Sequence, residues 1–244
     1  MMGLTTDHLD HLLDFQGYGN LEDSVWFLGI EEKCEKKDIQ RNIEQRSRFK
    51  PVMDLADAMK LLDENYDVNT LKKSRTPTWT WMAKIMGWLG YADSSSTPIE
   101  YIRTRLGRKE QRTFLTDLFP LPAPSIKDED WPVEYRLLYP TRKTYENAVL
   151  VKRQETLRQL IKNHNPRYIF AYGRACQQHY KSLVPASTWD EIRVEGNPLK
   201  KRSIFEVSMW DKTTMVITPF FGSRSGLRTA DIQQVIEHLK AQEL

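Results

Sequence analysis

Two adjacent carboxylates follow the clearest apolar segment of the chain. Residues 24–29 (S-V-W-F-L-G) predict a short buried strand, and Glu31 and Glu32 come directly after it. A glycine at a strand end, here Gly29, lets a ligand approach the backbone closely. A carboxylate at this position could polarise a water molecule or stabilise the positive charge of an oxocarbenium-like transition state on a sugar ring. Solvated surface glutamates are a common alternative.

A third carboxylate, Asp117, lies in an otherwise apolar segment. Residues 113–119 (T-F-L-T-D-L-F) predict a second strand, which Pro120 ends. A carboxylate in such a strand needs hydrogen-bond partners or a wet pocket. The sequence leaves two interpretations open: Asp117 lines a pocket, or it accepts hydrogen bonds from backbone N–H groups of the following turn.

A loop rich in glycine and serine follows the last predicted strand, over 219–227. Flexible backbone, small hydroxyl groups and one guanidinium suit close contact with a phosphate backbone, although a plain surface loop has the same composition. The residues that combine these properties are Gly222, Ser223, Arg224 and Ser225.

Tryptophans are concentrated in the helix predicted over 78–90. Aromatic residues at helical spacing usually belong to the core. Trp79 and Trp81 are two positions apart and cannot both face one side of the helix, so one of them is a candidate to line a pocket or to stack on a base or sugar.

Strands alternate with helices along the chain. Strands are predicted over 24–29, 113–119, 167–172, 206–210 and 214–218, and helices over 51–62, 78–90 and 143–164 and from Thr229 onward. This order predicts an α/β fold, a three-layer α/β/α domain over residues 1–244 around a small, mainly parallel sheet, with irregular insertions near 64–78 and 125–142. Ligands of such sheets bind at the carboxyl ends of the strands, so Glu31, Asp117 and the segment 218–223 are expected to share one edge.

Composition excludes several classes of protein. Hydrophobic residues make up 40% and charged residues 28% of the 244 residues, which is typical of a folded globular protein. The chain holds no run of about 18 apolar residues and no apolar segment at its start, so we expect a cytoplasmic protein that does not enter membranes. Two cysteines, Cys34 and Cys176, are too few for a four-thiolate metal or iron–sulfur site, and we expect neither a metal nor a cofactor.

Charge is unevenly distributed. Residues 1–32 hold seven acids and no Lys or Arg, whereas residues 72–112 hold nine bases against three acids and residues 193–228 hold seven bases against three. Two basic segments beside an acidic one suit a face that binds a polyanion around a carboxylate-bearing pocket. Solvated loops of no functional meaning are the alternative.

Four segments together resemble the uracil-DNA glycosylase superfamily. They are W-F-L-G-I-E-E at 26–32, T-D-L-F-P-L-P at 116–122, P-R-Y-I-F-A-Y-G-R-A at 166–175 and T-P-F-F-G-S-R-S-G at 218–226, and they span about 200 of the 244 residues. Each motif is loose, and their order and spacing carry the resemblance. It implies a small parallel sheet between helices and an enzyme that flips a nucleotide out of DNA and cuts the bond between base and deoxyribose.

The resemblance implies roles for individual residues. Glu31 would stabilise charge and orient water, with Glu32 as the neighbour that could take over. The base would contact Asp117, Gly29, Ile30 and Phe119, and residues 222–226 would press on the DNA with Arg224 as the wedge or phosphate contact. The segment from Thr218 has no histidine where the family normally places the one that stabilises the departing base.

Asp117 occupies the position where the family usually has the asparagine that reads uracil. An ionised aspartate only accepts hydrogen bonds, so it repels O4 of uracil and suits the amino group of cytosine. The chain is therefore similar to the phage-defence branch that excises α-glucosyl-hydroxymethylcytosine from double-stranded phage DNA, with no obligate protein partner expected. Candidates to hold the sugar are Trp79, Trp81, Arg48 and Arg75.

Three other functions stay open. Excision of uracil or a damaged base is possible if Asp117 is protonated, and the missing histidine also suits a catalytically silent reader of nucleic acid. Glu31-Glu32-Lys33 has the E-x-K form of a metal-dependent nuclease site, which requires an acid upstream such as Asp14 or Asp23.

Overall fold

The structure is a computed structural model that describes residues 6–22, 25–71, 76–93, 95–185, 188–194, 204–222 and 226–242. Its helices are α1 (Thr6–Leu13), α2 (Ile39–Arg46), α3 (Leu55–Leu62), α4 (Pro77–Trp88), α5 (Pro98–Thr104), α6 (Arg142–His164), α7 (Gln177–Lys181) and α8 (Thr229–Ala241). Its strands are β1 (Gly17–Gly19), β2 (Val25–Gly29), β3 (Val52–Met53), β4 (Thr113–Asp117), β5 (Tyr168–Tyr172), β6 (Asp190–Arg193), β7 (Ile204–Trp210) and β8 (Thr213–Thr218).

The described strands form a single sheet in the order β3-β1-β4-β2-β5-β8-β7-β6. The four central strands, β4, β2, β5 and β8, run parallel to one another, so their carboxyl ends meet at one edge. Gly29 pairs with Asp117 in this register, and Tyr172 pairs with Thr218. The expected convergence of these strand ends is confirmed.

Helices cover both faces of the sheet. Residues of α3, α4, α5 and α8 pack on the face that carries Phe27, Leu115 and Phe170. Residues of α1, α2, α6 and α7 pack on the opposite face, around Trp26 and Ile169. The predicted α/β architecture with a mainly parallel sheet is confirmed.

The sheet is larger than the sequence predicts, because three strands lack a readable pattern. β1 and β3 are only three and two residues long, and β6 is an exposed edge strand. The predicted helix start at Pro51 is wrong. Residues 52–53 pair with β1, and α3 begins after Asp54, whose carboxylate caps it by accepting a hydrogen bond from Ala56 N–H at 2.9 Å.

The segments expected to be irregular contain little regular structure. Residues 125–142 hold two short 3-10 turns, at Asp128–Asp130 and Val133–Tyr135, before α6 begins. Residues 64–78 hold one, at Val68–Thr70, before α4, and part of this segment lies outside the described residues. Among the described helices, none has the length and apolar character that crossing a bilayer requires.

Candidate functional site

The edge where the central strands end brings a carboxylate and a phenol together above Gly29. A Cβ atom added to this glycine would lie 2.1 Å from Asp117 Oδ1 and 2.5 Å from Tyr172 Oη. The chain after β2 then continues beside the chain after β4, since Leu118 N–H donates to Gly29 O at 3.0 Å and Phe119 N–H to Ile30 O at 2.8 Å. Glycine is required at position 29 because two side chains fill the space that its own side chain would occupy.

Asp117 has an open carboxyl group. The residue is half-buried, and within the described part of the chain its side-chain oxygens take part in no hydrogen bond or ion pair. Burial, reinforced by the charge of Glu32, raises the pKa of Asp117 to about 8. A carboxyl group that is half-buried, protonated near neutral pH and without a protein partner can bind a polar ligand.

Arg153 of α6 fixes the backbone at this position. Its guanidinium donates to the carbonyl oxygen of Asp117 from Nη2 at 2.7 Å and from Nε at 3.1 Å, and to Thr116 Oγ1 at 3.0 Å. It also donates to the carbonyl oxygen of Phe15 at 2.8 Å. This buried arginine connects the end of β4 to the segment before β1, and it binds the Asp117 backbone carbonyl without a hydrogen bond to the carboxyl group.

Glu32 is an oriented carboxylate. The Tyr18 hydroxyl donates a hydrogen bond to Glu32 Oε1 at 2.6 Å. The buried Arg46 donates hydrogen bonds to Oε1 at 3.1 Å and to Oε2 at 2.5 Å. The Glu32 side chain remains 27% exposed. Since Oε2 accepts one hydrogen bond from Arg46, it keeps an acceptor position for water or substrate.

Glu31 is more deeply buried than Glu32 and is paired with a different arginine. Its side chain is 5% exposed and lies 2.5 Å from Arg142 Nη1, and Arg142 also donates to Glu146 Oε1 at 2.8 Å. Burial raises the pKa of Glu31 to about 7 despite the neighbouring guanidinium. Of the two adjacent glutamates, Glu32 is therefore the one placed to meet a ligand.

Aromatic rings form a wall beside Asp117. Tyr172 stacks on Phe221 with ring centroids 4.8 Å apart, and Phe221 stacks on Trp81 at 6.4 Å. Phe220 is 50% exposed, and its ring centroid lies 6.1 Å from that of Tyr172. Lys84 lies over the Trp81 ring at 5.0 Å, so a cation accompanies the aromatic row.

The structure brings some predicted site residues together and places others elsewhere. Glu32, Asp117, Gly29 and Ile30 share the edge, and Trp81 reaches it through Phe221. Trp79 and Trp81 are both partly buried against the core cluster that contains Phe221. Phe119 is buried against Tyr145 and beneath Arg142, so its ring supports the strand end. Arg48 is exposed after α2, and Gly222 is half-buried beside Phe220. Arg75, Ser223, Arg224 and Ser225 lie outside the described residues.

Sequence reasoning missed the residues that hold the site together. They are Tyr18, Arg46, Arg142, Arg153 and Tyr172. A signal existed for Tyr172, because it ends the predicted strand 167–172 as Asp117 ends its own strand. The others are distant in sequence, and only the fold brings them to the strand ends.

Replacement of Asp117 by asparagine is expected to stabilise the protein at alkaline pH. The raised pKa means that the folded chain retains a proton which the unfolded chain releases near the ordinary pKa of 3.8. Stability contributed by this group therefore falls as pH rises from about 4 to about 8. We expect D117N to raise the free energy of unfolding by about 1–3 kcal/mol at pH 8 and by less at pH 5, measured by urea unfolding.

The exposed Asp190 provides the matched control, since D190N changes the same chemical group without burial. D190N should leave the free energy of unfolding unchanged at both pH values. An equal response of the two variants would show that Asp117 ionises freely.

Both cysteines are free and buried. No group of three or more His, Cys, Asp or Glu side chains with metal-binding geometry occurs among the described residues. Comparison of the sequence with models of known protein families found no match, and comparison with curated proteins found none either.

Proposed function

We propose that this chain is a DNA glycosylase that releases a modified, cytosine-type base from a flipped nucleotide and leaves an abasic site. The observation that carries the proposal is the pairing at one sheet edge of an open carboxyl group, Asp117, with an oriented carboxylate, Glu32. The Asp117 carboxyl group can bind the hydrogen-bonding edge of a base, and the Glu32 carboxylate can stabilise positive charge on the sugar. The order of the four sequence segments supports a uracil-DNA glycosylase-like fold for the α/β framework.

In the proposed reaction the bond between C1′ and the base nitrogen breaks, and its electron pair leaves with the base. Glu32 stabilises the oxocarbenium ion that forms on the sugar, because Tyr18 and Arg46 hold its carboxylate in place. Water bound at the free position of Oε2 then attacks C1′, and its proton passes to solvent or to the departing base. Glu31 keeps Arg142 paired beneath the strand end and does not touch the substrate.

DNA is the proposed partner, and glucosylated hydroxymethylcytosine of phage DNA is the proposed target. Lys84 places a positive charge over Trp81, whose ring stacks on Phe221 behind Tyr172. The exposed Phe220 and the aromatic row behind it offer faces on which a base or sugar ring can stack. These features suit a nucleotide extruded from a duplex.

The test uses duplexes that differ only at one central position. They carry uracil, cytosine, hydroxymethylcytosine or glucosylated hydroxymethylcytosine, and alkali then cleaves the strand at any abasic site. We expect cleavage only after incubation with the protein, strongest for the modified cytosine and undiminished by EDTA. Strand breaks that EDTA abolishes would indicate a nuclease, and binding without alkali-sensitive sites would indicate a silent reader.

The nuclease alternative finds little support in the described residues. Asp14 lies at the surface 3.7 Å from Lys152, and Lys33 is paired with Glu35 at 2.9 Å. Within the described part of the chain, neither side chain forms an ion pair or hydrogen bond with Asp117 or Glu32. Asp23, the other upstream acid considered, lies outside the described residues. Among the described residues, the E-x-K pattern and Asp14 do not form a cluster.

Uracil is a second candidate substrate because of the raised pKa of Asp117. A neutral carboxyl group both donates and accepts, so it can pair with O4 and N3–H of uracil as an asparagine would. Above pH 8 the ionised group only accepts and should select the cytosine-type amino group.

The base preference should therefore change with pH. We expect the ratio of cytosine-type to uracil release to rise about tenfold between pH 7 and pH 9, since a good specific contact contributes ~1–3 kcal/mol. Release rates from the two duplexes are measured side by side across this range. In D117N the ratio should be lower and independent of pH, and a pH response that persists in D117N would assign it to another group.

A further inference from the structure

The Tyr172 hydroxyl group takes part in no hydrogen bond between side chains of the described residues. The residue is 9% exposed, and its ring is fixed by stacking on Phe221. Its hydroxyl oxygen nevertheless makes no hydrogen bond to any described residue. A tyrosine with a buried ring usually has a hydrogen-bond partner for its hydroxyl, so this one is left for water or a ligand. A hydroxyl held in this way is placed for a ligand atom.

The hydroxyl lies beside the open carboxyl group of Asp117. Both oxygens lie within 2.5 Å of one point, the position of a Cβ atom on Gly29, yet no hydrogen bond joins them. Burial raises the pKa of Tyr172 well above its usual range, so the hydroxyl keeps its proton and can donate. The pair therefore presents one donor next to one acceptor when Asp117 is ionised.

We propose that Tyr172 is a second base-reading residue, whose hydroxyl donates to the ring nitrogen N3 of a cytosine-type base while Asp117 binds the amino group at position 4. This inference rests on the proposed function and specifies which hydrogen-bonding edge of the base the site reads. Cytosine presents an acceptor at N3 beside a donor at N4, which matches the pair. Uracil in the same orientation would place N3–H against the hydroxyl proton and O4 against the carboxylate.

The test combines a Tyr172→Phe variant with a substrate that lacks the acceptor. Y172F keeps the stacked ring and removes only the hydroxyl oxygen. In the 3-deaza analogue of the base a C–H group replaces N3. We expect kcat/KM at pH 9 to fall about tenfold in Y172F with the natural base. With the 3-deaza base, wild type and Y172F should be equal, because the hydroxyl then has nothing to bind.

Tyr139 supplies the matched control, since its half-buried ring packs on Tyr145 outside the strand-end edge. Y139F should behave as wild type with both bases. A wild-type enzyme that is active, with Y172F either equal to it or impaired to the same extent with both bases, overturns the inference and leaves the proposed function standing. A wild-type protein that releases no base from any duplex overturns the proposed function and this inference with it.

Discussion

A Glu32→Gln variant is expected to lose base release by about 10²–10⁴-fold while it still binds DNA. The substitution keeps the shape of the side chain and removes the negative charge that would stabilise the oxocarbenium ion. Arg46 is buried and loses its ionic partner, so some loss of stability is expected as well. The release rate is therefore measured in single turnover at a temperature where unfolding experiments show the variant to be folded.

Glu31→Gln is the control for this prediction, because it makes the same change one residue earlier. Its side chain is buried against Arg142, which keeps a second carboxylate partner in Glu146. We expect E31Q to retain activity within about tenfold of wild type, which corresponds to ~1.4 kcal/mol in the barrier. The reverse result, with E31Q inactive and E32Q active, would move the sugar-stabilising role to Glu31.

The position of the site could be predicted from the sequence because it depends on strand ends. Short apolar segments mark the central parallel strands, and parallel strands end at a common edge. Two acids at the ends of such segments, Glu31 and Asp117, were therefore expected to meet. The register between Gly29 and Asp117 confirms that the two strand ends meet, but Glu32 has the stronger electrostatic effect on Asp117.

The choice between the adjacent glutamates could not be predicted. Strict strand alternation would place Glu31 on the same face as Gly29, but the chain leaves β2 after Gly29 and Glu32 takes the position near Asp117. The residues that fix the positions of the two glutamates are far apart in the sequence. Tyr18 lies in a three-residue strand too short to show a pattern, and Arg142 begins a helix far along the chain.

The protonation state of Asp117 also lies beyond sequence reasoning. Judged by residue type alone, the side chain is an ionised acceptor that disfavours uracil, and uracil stays possible only if the group is protonated. Burial beside Glu32 raises its pKa to about 8, and this depends on distances that only the folded chain defines. The expected substrate therefore changes from one base edge to a preference that varies with pH.

Gly29→Ala is expected to abolish base release, by at least about 100-fold, while the protein stays folded. The new methyl group would lie 2.1 Å from Asp117 Oδ1 and 2.5 Å from Tyr172 Oη, so both side chains must move. The Asp117 carboxyl group can rotate away, whereas the Tyr172 ring must shift against Phe221. Overpacking of this kind typically costs ~1–3 kcal/mol. Displacement of the base-reading groups by about 1 Å is enough to reduce a rate about 100-fold.

Gly87→Ala is the matched control, since it adds the same methyl group in α4 where no atom lies within 4 Å. This change should leave the rate unaltered and raise the unfolding free energy by roughly 0.5–1 kcal/mol, because alanine favours a helix over glycine. Alkali-cleavage rates and urea unfolding are measured for both variants. If G29A released the base as fast as G87A, the oxygens above Gly29 would not be the groups that read it, because no bound base could keep its contacts with side chains that had been pushed aside.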